Sequence, residues 1–183
     1  MTGLLRRIGG SLNDFFRWSG GLFILFLRAV WVAPQRPIGV SDLSHQTLTV
    51  GIRSMPMATL MSLFVGMILV WQFGEALADF GAKQSLGYAS SLALVRELIP
   101  ALLAVTVGSK MATGMTAELG SMKVTEQIDA IASLGADPVK KLVWPRFFAA
   151  TLAMPLLVAW GNIMALLGGM FISDAVFDVP AGY

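Results

Sequence analysis

Apolar residues fall into three long windows separated by short polar stretches. Between Arg53 and Glu75 lie 21 residues without a charge, SMPMATLMSLFVGMILVWQFG, with Trp71 near the far end where an interfacial aromatic belongs. Between Arg146 and Asp174 an uncharged run of 27 residues, FFAATLAMPLLVAWGNIMALLGGMFIS, is long enough to cross a bilayer with some tilt. The middle window, from about Gln84 to Met115, is apolar but interrupted by Arg96 and Glu97. These windows predict spanning helices over 54–74, 84–115 and 146–173. The first 43 residues differ: Phe15, Trp18, Leu22, Phe26 and Trp31 recur at helical spacing while Arg17 and Arg28 interrupt the apolar run. That pattern predicts a helix lying in the membrane interface, followed by a linker. A secretory signal fits less well, because Arg28 falls inside the apolar core and no A-x-A cleavage site follows.

Between the second and third windows, ELGSMKVTEQIDAIASLGADPVKKLVWPR is too polar to cross the membrane yet carries helical order. Ser121 is placed to cap a helix, Val124, Ile128 and Ile131 recur on one face, and Gly135 followed by Asp137 and Pro138 stops it. A short amphipathic helix over 121–135 is expected, either tucked against the bilayer surface or docking a partner. The overall expectation is an all-α membrane protein in one domain, with an interfacial helix, three spans and a short surface helix.

Composition agrees: 56% of the 183 residues are hydrophobic and 13% charged, against roughly 25% charged in a soluble domain. The net charge of +2 is too small and dispersed to indicate nucleic acid as a partner. With no cysteine and one histidine, His45, the chain has no thiolate or zinc cluster and no Ser-His relay, so neither a metal site nor catalytic residues are expected. Charge asymmetry gives orientation. Arg6, Arg7, Arg17, Arg28, Arg36 and Arg53 precede the first span, and Lys110, Lys123, Lys140, Lys141 and Arg146 flank the second connection. The N-terminus and that connection are therefore expected on the cytoplasmic side.

Two features mark the second span. Gly108, Ala112, Thr116 and Gly120 recur at spacing four beside Ser109, Thr113 and Ala117, a ladder that lets helices approach closely, with packing inside the chain as the simpler expectation. Arg96 and Glu97 sit about midway across the bilayer and are followed by Pro100, which removes the amide that would bond the Arg96 carbonyl. Neighbouring residues on a helix do not face each other, so the pair either opens a polar spot in a substrate pathway or is satisfied by other helices.

SLALVRELIPALLA (Ser91 to Ala104) and TAELGSMKVTEQIDAIASLGADPVKKLVWPR (Thr116 to Arg146) carry a resemblance to MlaE-type permeases, the membrane subunits of ATP-binding-cassette lipid transporters. The chain resembles that family from about residue 10 to residue 174. The resemblance implies a homodimer around a lipid-holding cavity, with Arg96, Glu97 and Pro100 on the helix that lines it. It also implies that the cytoplasmic helix is a coupling helix, with Glu118, Lys123, Glu126, Asp129 and Gly135 in the region that docks on the ATPase. Implied partners are that ATPase, a second permease copy, a periplasmic MCE-type lipid-binding subunit and membrane phospholipids, in a bacterial inner membrane. ATP and Mg would be bound by the partner, since this chain has no G-x-x-x-x-G-K-[ST] loop. The sequence departs from the family at Ile99, where glycine is usual, and at Ser109-Lys110, where Gly-Arg is usual. The family has five spans and three are expected here, so the chain is expected to be a fragment or a truncated form. The rival readings are a membrane-embedded lipid-modifying enzyme using Glu97, Arg96 and His45, and a nonfunctional remnant.

Overall fold

The computed structural model describes residues 2–32, 40–81 and 85–177, with side chains described for 10, 12–28, 43–81 and 85–177. Among the described residues every regular element is helical. Helix α1 is Thr2–Val32 and α2 is Val40–Asp79. Helix α3 runs Leu86–Val124 and contains a π-helical turn at Leu94–Leu98. Helix α4 is Gln127–Ser133, and α5 runs Val139–Phe177, opening on a second π-helical turn at Val139–Val143. Three helices are long and apolar enough to cross a membrane: Leu43–Asp79, Leu86–Val124 and Val139–Phe177.

Each of these outruns the window expected from hydropathy. Charged residues such as Arg53 and Glu75 mark where the hydrocarbon ends, but they are good helix formers and do not stop a helix. The linker part of 1–43 is partly helical for the same reason, because α2 begins at Val40. In α1, Phe15, Trp18 and Leu22 are exposed, and Phe26, half exposed, meets Phe147 edge to face with ring centroids 6.0 Å apart. The Trp31 side chain lies outside the described residues.

Lipid tails are as apolar as leucine, so spanning helices associate through close packing rather than through the hydrophobic effect. Here the seam lies between α2 and α5. Ser54, Ala58, Ser62, Gly66, Val70 and Gly74 form a buried row at spacing four on α2. Ala149, Ala153, Leu157, Gly161, Ala165 and Gly169 form the answering row on α5. At Gly66 the approach is backbone to backbone, where a Cβ would land on the Ala165 carbonyl, and at Gly161 a Cβ would lie 2.7 Å from the Ser62 hydroxyl. Trp160 Nε1 donates to Thr59 Oγ1 at 2.9 Å, closing the seam with a polar contact.

The ladder expected on α3 does not do this packing. Ala112, Thr116 and Gly120 are exposed, a Cβ at Gly120 would meet nothing within 4 Å, and one at Gly108 would meet only the end of Met154 at 3.9 Å. Helix α3 instead buries Leu86, Ser90, Leu94, Ile99, Leu103, Val107 and Met111. That row keeps spacing four except for one step of five, from Leu94 to Ile99, and the step coincides with the π-helical turn. The extra residue of the wider turn lets both halves of α3 present one continuous stripe to the core.

Candidate functional site

The π-helical turn of α3 is LVREL, so Arg96 and Glu97 occupy its middle. Its wider ring is closed by the Ile99 amide, which donates to the Leu94 carbonyl five residues back. Pro100 follows directly and offers no amide to the preceding turn. Just before Pro100 the helix thus changes register, and π-helical turns of this kind are frequent at functional sites. Because Leu94 and Ile99 face the core, Arg96 and Glu97 are turned away from it and are exposed. Among the described residues neither side chain has a hydrogen-bond or ion-pair partner. The surrounding surface is apolar, with Leu92, Val95, Leu102 and Val105 exposed on α3. Ionisable groups so placed cost several kcal/mol in hydrocarbon unless they meet a cavity, a ligand or another subunit. Satisfaction by the other helices of this chain, one of the two readings of the pair, is not what the described residues show.

The rival trio Arg96, Glu97 and His45 is not assembled. Lys110 Nζ donates to the Arg53 carbonyl at 2.6 Å, which sets α2 and α3 in register. His45 lies eight residues to one side of that level and Glu97 thirteen to the other, which separates them by about 30 Å at 1.5 Å per residue.

The polar segment after the second span folds differently from expectation. Ser121 starts no helix; it lies inside α3, and its carbonyl accepts from the amide and hydroxyl of Thr125 at 3.0 and 2.9 Å. The break comes at Glu126, whose φ of 58° is left-handed, and α4 starts after it. The single apolar face of Val124, Ile128 and Ile131 is divided by this break, and Val124 is 85% exposed. The expected stop does form. Gly135 adopts φ 74°, its amide donates to Ala132 and the Ala136 amide donates to Ile131, a glycine-terminated helix end. Asp137 Oδ1 then accepts from the Val139 amide at 2.9 Å at the entrance to α5.

Two ion pairs brace this region. Lys123 Nζ meets Asp129 at 2.8 Å across the Glu126 break, and both side chains are more than half exposed, so the pair contributes at most about 1 kcal/mol. Glu118 meets Arg146 at 2.9 Å, tying the far end of α3 to α5. Arg146 is the more consequential partner: its side chain is only 11% exposed, and it also donates to the Leu142 carbonyl at 3.0 Å. Of the sequence-derived residues, Glu118, Lys123, Glu126, Asp129 and Gly135 gather at this end of the molecule, well apart from Arg96, Glu97 and Pro100. The sequence assigns Arg146 only to the basic residues that orient the second connection; its bracing of α3 against α5 is signalled only by its position as the last charge before a 27-residue apolar run. Among the described residues no cluster of His, Cys, Asp and Glu could hold a metal ion.

The family described as permease MlaE matches residues 43–183. A probable ABC transporter permease protein of Rickettsia felis is 36% identical over 170 residues, covering 92% of this chain and 66% of its own length. The intermembrane phospholipid transport system permease protein MlaE of Haemophilus influenzae is 31% identical over 182 residues, covering all of this chain and 70% of that protein. The chloroplastic protein TRIGALACTOSYLDIACYLGLYCEROL 1 of Arabidopsis thaliana is 36% identical over 129 residues, 70% of this chain and 37% of that protein. The chain thus spans about two thirds of the length of the Rickettsia relative and less than half of the plant one. With three apolar helices, and with the match covering all three of them, the chain belongs to the MlaE permease family.

Proposed function

We propose that this chain is the permease part of an ATP-binding-cassette transporter that moves phospholipids or related lipids between the inner membrane and a periplasmic lipid shuttle. The observation that carries the reading is the unpartnered Arg96-Glu97 pair, held in a π-helical turn on the open face of a membrane-length helix. Two neighbouring charges without internal partners at that depth suit a lipid pathway completed by a second copy of the permease. The names of the Rickettsia and Haemophilus relatives support the same class of protein.

In this reading the N-terminus and the α4 region face the cytoplasm, following the excess of Lys and Arg there. The segment from Glu118 to Gly135 is the coupling element. The braced ends of α3 and α5 transmit movement of the ATPase to the spans, and that partner binds ATP and Mg. A periplasmic MCE-type subunit receives or delivers the lipid on the opposite side. No chemical step falls to this chain, and the roughly 30 Å between His45 and Glu97 argues against the lipid-modifying alternative.

The test is Glu97→Ala in the complex reconstituted with its ATPase in proteoliposomes. Lipid transfer is expected to fall about tenfold, the loss of one charge-assisted contact, while co-purification of the ATPase is unchanged. Transfer at the wild-type rate would contradict the role given to the pair.

A further inference from the structure

A second charged feature lies between α2 and α3, toward the end of the spans that holds Glu118. An open cleft of about 230 Å³ is lined by Arg53 and Ser54 of α2 and by Lys110, Met111, Met115 and Glu118 of α3. The charges on it do not cancel. Glu118 is engaged by Arg146 at 2.9 Å. Lys110 spends one of its three donors on the Arg53 carbonyl. Among the described residues the Arg53 guanidinium has no acidic partner. Two cations therefore face the space with donors to spare.

Depth identifies what meets them. The 21 uncharged residues that follow Arg53 extend about 31 Å as a helix, the thickness of the hydrocarbon layer. Arg53, and Lys110 held to its carbonyl, therefore stand at the edge of that layer, at the level of lipid phosphates. Against roughly 30 Å³ per water in the liquid, the cleft has room for a phosphate with its glycerol. Met111 and Met115 supply an adaptable apolar part of the wall on the water side of that level, beside the headgroup. Guanidinium and ammonium together bind a phosphoryl group through short charge-assisted hydrogen bonds.

We infer that this cleft is a binding site for the phosphate of a glycerophospholipid headgroup, distinct from the Arg96-Glu97 position, which lies deeper along α3. Gly114, also on its wall, leaves the space open: a Cβ there would meet nothing within 4 Å.

The test uses the full chain in nonionic micelles containing a glycerophospholipid with a photoreactive headgroup, with crosslinked peptides mapped by mass spectrometry. Labelling is expected within 50–54 or 110–118. It is expected to fall about tenfold in the double variant Arg53→Gln, Lys110→Gln, as charge-assisted bonds are lost. It is expected to fall similarly in Gly114→Leu, which fills the cleft without changing charge. The double variant Lys140→Gln, Lys141→Gln, with the same loss of charge elsewhere, is expected to label like wild type. Wild-type labelling in both cleft variants, an equal fall in the Lys140 and Lys141 control, or crosslinks mapping elsewhere would overturn the proposal. Suppression by excess inorganic phosphate would assign the cleft to a free anion and overturn the lipid as its ligand.

Discussion

Gly66→Ala isolates the force that holds α2 against α5. The added Cβ lands on the Ala165 carbonyl, with that residue's oxygen, carbon and Cα all inside van der Waals contact. Both groups belong to helix backbone, so no rotamer change relieves the overlap and the two helices must separate. A radial gap of about 0.5–1 Å forfeits a quarter to a half of each dispersion contact, and the loss extends along the rows through Ala58, Ser62, Leu157 and Gly161. Overpacking costs about 1–3 kcal/mol in general, and an overlap between two backbones belongs at the upper end. Alanine gains about 1 kcal/mol over glycine in a helix, leaving a net loss of about 2 kcal/mol. Gly120→Ala makes the same chemical change where nothing lies within 4 Å, so only the gain of up to about 1 kcal/mol remains. Unfolding in mixed micelles titrated with SDS, followed by tryptophan fluorescence and circular dichroism, reads both. Equal stability of the two variants would refute the seam as described.

Two further expectations concern polar contacts. Thr59→Val leaves Trp160 Nε1 without its acceptor and is expected to cost about 1 kcal/mol, read as a lower SDS midpoint with altered tryptophan emission. Charge reversal at both Glu126 and Asp129 is expected to abolish ATPase co-purification while changing stability by no more than about 1 kcal/mol, since the Lys123–Asp129 pair is largely exposed. Retained co-purification would remove the coupling role from this segment.

The spans were legible because hydrocarbon excludes charge, and their ends were not, because residues such as Arg53 and Glu75 continue a helix into the headgroup layer. The small-residue spacing is most conspicuous on α3, whose ladder is exposed, while Ala58, Ser62 and Gly66 on α2 and Ala153, Gly161 and Ala165 on α5 carry the same spacing and form the seam. Spacing shows which rows can approach; which row meets a partner is decided by the arrangement of all the helices. The π-helical turn left one trace in sequence, the slip from four to five between Leu94 and Ile99, but hydropathy averages over such a step. Ser121 looked like a helix start because a serine before a polar-apolar repeat satisfies free amides. Here α3 had not ended, and its amides were already bonded. At Glu126 no glycine or proline marks the break, and only the local fold reveals the left-handed residue.

The central claim, a permease driven by a separate ATPase, is tested most directly by tagging the chain at its N-terminus in native membranes, extracting it in mild detergent and identifying what co-purifies by mass spectrometry. The account predicts an ATP-binding-cassette ATPase together with bound phospholipid. Recovery of the chain with neither would contradict it.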